Sequence, residues 1–73
     1  MNASITSTIQ VQDQYIATVS KIAPSRRNYY SHVSRAESKA ITAIMGFGLT
    51  LPQAHDMVRQ AHDVACLMRE VTA

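Results

Sequence analysis

The sequence predicts an all-α protein: a small three-helix bundle with a long C-terminal helix, its core completed by homodimerisation. Apolar residues recur at helical spacing in three stretches, and Pro24 and the pair Gly46 and Gly48 punctuate the gaps between them. The tetrapeptide Gln-Ala-His-Asp occurs at 53–56 and again at 60–63, one heptad apart. A chain of 73 residues holds one domain at most. A domain this small usually draws on a staple or a partner before its core yields more than roughly 3–5 kcal/mol.

Residues 1–11 read as an extended or flexible tail. Ile5, Ile9 and Val11 alternate with Thr6, Thr8 and Gln10, which is strand periodicity without a second strand to pair with. The alternative is an early start to the first helix. From residue 12 the chain forms a single helical domain, with helices expected at about 12–23, 35–45 and 50–72. Tyr15, Ile16, Val19, Ile22 and Ala23 share one face of the first, and Pro24 ends it by pushing the preceding residue out of the α region. Residues 25–32 read as a connector.

Ser34-Arg35-Ala36-Glu37 has the form of a capping box, so the second helix is expected to start there, with Ala36, Ala40, Ile41, Ile44 and Met45 as its apolar face. Gly46-Phe47-Gly48 stops it, and Phe47 is expected to plug the core at the corner. Thr50-Leu51-Pro52-Gln53 is a second capping box, with proline in the first turn where its missing N–H costs nothing. In the third helix the heptad register aligns Ala54, Met57, Val58, Ala61, Val64, Ala65 and Met68. The small alanines in that stripe suit close approach of a second copy, so it is the expected dimer seam.

Charge is uneven. Lys21, Arg26, Arg27, Arg35 and Lys39 face a single acid, Glu37, in the middle of the chain, whereas the flanking segments are slightly acidic. Arg26, Arg27, Tyr29, Tyr30, Arg35 and Lys39 form the expected partner-binding patch, because arginine beside exposed tyrosine is enriched at interface hot spots and also stacks on nucleic acid. Tyr29 and Tyr30 are adjacent, so at least one of them is expected at the surface.

No catalytic set, cofactor site or metal site is expected. His55 and His62 lie two turns apart, about 10 Å along an axis, too far to share one ion. His62 and Cys66 are one turn apart but have no third group to orient the histidine or complete a tetrahedral set. The histidines are expected on a solvated face. A helix-turn-helix reading is disfavoured, since the last helix would present Asp56, Asp63 and Glu70 to phosphates. No apolar run approaches the roughly 20 residues of a membrane span, and residues 1–8 lack the features of a signal peptide, so a cytoplasmic location is expected.

Met45-Gly46-Phe47 after a short helix resembles the first loop of ubiquitin-associated domains. The uninterrupted helix after Thr50 departs from that family's three short helices, and no family is assigned. The expected function is a non-enzymatic protein-interaction module that binds a larger protein through the basic and tyrosine patch. Its length suits a small inhibitor or regulator of the phage- or plasmid-encoded kind. A small nucleic-acid-binding transcriptional regulator using the same patch is the alternative.

Overall fold

A computed structural model describes residues 2–22 and 25–72, and for residues 2–4, 71 and 72 it describes the backbone alone. It comprises three helices, α1 (Asn2–Ser20), α2 (Tyr29–Met45) and α3 (Leu51–Thr72). α1 and α3 run parallel, as Gln12 reaches the carbonyl of Met57 and Tyr15 reaches His62; α2 returns antiparallel between the two connections.

The largest correction to the sequence reading is at the N-terminus. Residues 2–11 are helix, not an extended tail. Thr8, Tyr15 and Val19 are buried in one line, with Val11 packed beside them, so the helical stripe continues about two turns before Tyr15 through a threonine that hydropathy alone does not mark. Packing against α3 outweighs the strand preference of the β-branched residues. The same helix ends at Ser20, earlier than expected. The Ile22 amide then bonds to the Val19 carbonyl at 3.1 Å, and a turn carries the Ile22 side chain into the core. The expected stop at Pro24 lies outside the described residues.

α2 starts at Tyr29 rather than at about residue 35, so Ser34 and Glu37 lie within a running helix and cap nothing. The extra turn and a half forms because Val33 is buried and Tyr29 packs against the core, in register with Ala36, Ala40 and Ile44. At the next corner Gly46 is still right-handed, and the left-handed position is Gly48 at φ 99°. Phe47 is 38 % exposed and does not plug the core; Leu49 packs there instead.

α3 matches its expected bounds. Its capping box forms as read: the Thr50 amide donates to Gln53 Oε1 at 3.0 Å, and the Gln53 amide donates to Thr50 Oγ1 at 3.4 Å. Ala54, Val58, Ala61 and Ala65 then face inward and close the core with Tyr15, Val19, Val33, Ala40 and Ile44. Four of the residues expected to form a dimer seam are therefore spent inside the chain. Met57 is half-buried, and only Val64 and Met68 of that set are exposed. None of the described helices is long and apolar enough to cross a membrane.

Candidate functional site

The middle of the chain places its cations on one side of the bundle. Because α2 begins at Tyr29, residues 32, 35, 36, 39, 40 and 43 form one edge of that helix, three to four residues apart. This edge faces α1 across a groove of about 380 Å³. Its floor is apolar, made by Ala36, Ala40 and Ala43 of α2 with Val11 and Tyr15 of α1 and Ile22 of the turn that follows α1. Its rim carries Arg26, His32, Arg35 and Lys39, and the α1 side adds the neutral Gln14 and Thr18. Among the described residues no carboxylate lines it. The groove between α2 and α3 differs in kind, since there Glu37 and Asp63 stand beside Arg59 and the charges offset one another.

The structure brings together three of the six residues expected in the partner-binding patch: Arg26, Arg35 and Lys39. Arg27 is exposed on the connector and does not line the groove. Tyr30 is 84 % exposed on the outer side of α2, in a shallow depression with Ser31, Ser34, Arg35 and Ser38. Tyr29 is half-buried and turned to a structural task. The Arg69 guanidinium donates to the Tyr29 hydroxyl at 2.8 Å and to the Val19 carbonyl at 3.0 Å, and it lies 5.0 Å from the centre of the Tyr29 ring. One side chain of α3 thus ties the end of α1 to the start of α2. The rings of Tyr29 and Tyr30 meet edge to face at 5.2 Å.

A second polar chain crosses the bundle. The Tyr15 hydroxyl lies 2.8 Å from His62 Nδ1, and Cys66 Sγ lies 3.6 Å from His62 Nε2. A neutral imidazole can donate at one nitrogen and accept at the other, so both neighbours are satisfied in either tautomer. His62 is therefore a half-buried bridge and not the solvated residue expected, whereas His55 is exposed. Burial pushes the Tyr15 phenol above its usual value of 10.0, and the Glu37 carboxylate pushes it the same way. Tyr15 stays a neutral hydrogen-bonding group well into alkaline solution. Among the described residues no three of His, Cys, Asp and Glu come close enough to share a metal ion.

Sequence reasoning missed the groove itself, along with His32 and the α1 residues that wall it. The signal was present in the spacing of His32, Arg35 and Lys39, but it becomes visible only once the helix is started at Tyr29. Comparison with protein-family profiles, characterised proteins and solved structures finds no match to this chain.

Proposed function

We propose that this chain is a protein-interaction module, a binder rather than a catalyst, which docks on an acidic surface of a larger protein through the basic side of α1 and α2. The observation that carries this reading is the groove with an apolar floor, a rim of Arg26, His32, Arg35 and Lys39, and no acid among the described residues of its lining. Such a surface attracts an acidic partner over distance and gains contact area once it arrives. Chemical cross-linking and capture from the source cell tests it. A protein should be recovered with the native chain and lost with Arg35→Glu combined with Lys39→Glu. Duplex or single-stranded DNA bound with a steep salt dependence, and released by Arg26→Glu with Arg27→Glu, would instead favour the nucleic-acid regulator.

A separate observation supports homodimerisation, on a different face from the alanine stripe. The outer side of the α1/α3 pair carries the exposed Ile5 and Ile9 of α1 and Val64 and Met68 of α3, with the half-buried Ile16 and Met57 between them and Leu67 beside them. Ile5 is 63 % exposed and Leu67 60 %, and the polar members of the stripe, Gln12 and Gln60, are uncharged. α3 has 22 residues and runs about 33 Å, so a face two helices wide, about 20 Å, offers roughly 650 Å² per partner, the low end of a standard stable interface. Helical geometry puts Asp13 at one edge and Asp56 and Asp63 at the other, so added salt should strengthen this association. Sedimentation equilibrium at tens of micromolar is the check: Val64→Glu with Leu67→Glu should give monomers, and a monomeric native chain would end the dimer reading.

A further inference from the structure

Resting on that reading of the basic groove as a protein-docking surface, we infer that its occupant is a single amphipathic α-helix with acidic flanks, lying along the α1/α2 groove. The length of the groove supports a helix. His32 and Ala43 bound its α2 wall, and at 1.5 Å per residue that wall runs about 17 Å, three turns of a ligand helix. The floor supports it as well. Ala36, Ala40 and Ala43 are spaced i, i+4 and i+7 along α2, so three methyl groups leave a shallow trough where larger residues would make ridges. A ligand helix can settle there with apolar anchors at i, i+3 or i+4, and i+7.

The charges set its composition. Arg35 and Lys39 stand one turn apart on the α2 side and Arg26 stands at the end near Ile22, so carboxylates on the ligand's flanks meet cations along its length. Nucleic acid fits less well. A phosphate backbone gains nothing from an alanine floor, and among the described residues the groove presents no exposed tyrosine or phenylalanine on which a base could stack, because Tyr15 is 3 % exposed and Tyr30 lies in the depression on the outer side of α2.

The test uses the full chain and a synthetic amphipathic peptide of about fourteen residues, with leucine on one face and glutamate on both flanks. Controls are its scrambled sequence, a lysine-for-glutamate version and a short DNA duplex. Amide shifts are followed by NMR as each is added. The expected result is saturable perturbation of Val11, Thr18, Ala36, Ala40 and Ala43 by the helical acidic peptide alone. Affinity should fall at least about tenfold in Arg35→Glu with Lys39→Glu. It should fall by a similar factor in Ala43→Leu, which fills the trough and leaves every charge in place. Equal binding by the scrambled peptide, or undiminished binding by Ala43→Leu, overturns the helix-in-groove inference while leaving a cationic protein-docking surface intact. No perturbation at millimolar peptide also overturns it. A duplex that shifts the same amides more tightly than the peptide overturns both readings.

Discussion

Arg69 should hold the open end of the bundle, and its removal should cost more than a typical surface arginine. Arg69→Met keeps much of the aliphatic stem while deleting the two charge-assisted hydrogen bonds to the Tyr29 hydroxyl and the Val19 carbonyl, and the contact with the Tyr29 ring. Hydrogen bonds to charged groups contribute about 1.5–3 kcal/mol each. Two considerations pull that figure down here: the Val19 carbonyl keeps the Ile22 amide, and the half-buried Tyr29 hydroxyl can turn to water. A net loss of about 2–3 kcal/mol follows for the pair together. With 73 residues, and an unfolding entropy near 2.1 cal/mol/K per residue, each kcal/mol moves Tm by about 6–7 °C, so Tm should fall by about 13–20 °C. Circular dichroism melts at 222 nm read this directly. Tyr29→Phe removes one acceptor and keeps the ring, so it should cost only about 1 kcal/mol, and Arg69→Lys should fall between the two because an ammonium lacks the planar fork. An Arg69→Met protein melting within about 3 °C of the native chain would refute the idea that this clasp joins the three helices.

Ile44 is fully buried and among the largest side chains of the core, so Ile44→Val should lower stability by about 0.5–1.5 kcal/mol in urea titrations, whereas Ile44→Ala should remove most of the cooperative transition. Thr50→Ala should cost about 1 kcal/mol, seen as a drop of about 4–8 °C in Tm, because it deletes the hydroxyl that accepts from the Gln53 amide. The Tyr15 phenol ionises less readily folded than unfolded, so its contribution is fully present below the unfolded value of 10.0 and is lost as pH rises above it towards the folded value. Urea midpoints should therefore decline on the alkaline side in the native chain and decline less steeply in Tyr15→Phe. Parallel slopes would show that another group governs the alkaline limb.

The fold class was legible because α3 carries redundant signals: a capping box, a proline in the first turn and a heptad register all agree on where it starts and which way it faces. The starts of α1 and α2 were not. In α1 the inward position one turn before Gln12 is Thr8, a polar residue whose burial depends on the neighbouring α3 and cannot be seen locally. In α2 the sequence offers a well-formed capping box at Ser34, but a box caps only where a helix begins, and Val33 with Tyr29 draws the helix back past it. That shift decided how much of the site could be read. With the helix started late, the expected patch ran from the connector, with Arg26, Arg27, Tyr29 and Tyr30, into the helix at Arg35 and Lys39; started at Tyr29, His32, Arg35 and Lys39 become one edge of a groove. The alanine stripe was correctly identified as buried surface and assigned to the wrong neighbour, because periodicity reports that a face is covered and does not say by which helix.

The small size of the core residues links these features. The core is rich in alanine and valine, with Val19 and Ile44 as its largest fully buried side chains, so the helices approach closely and each contact contributes little. A bundle of this kind gains stability from whatever covers the α1/α2 groove or the α1/α3 face, since any species that binds only the folded state adds to its stability by mass action. The two surfaces are distinguishable by charge. Occupation of the α1/α2 groove by an acidic helix should weaken as salt screens Arg26, Arg35 and Lys39, while self-association on the α1/α3 face should strengthen as salt screens the acids at its edges. The salt dependence of Tm therefore separates them: a Tm that rises with both protein concentration and salt belongs to the dimer face, and a peptide-induced rise that fades with salt belongs to the basic groove.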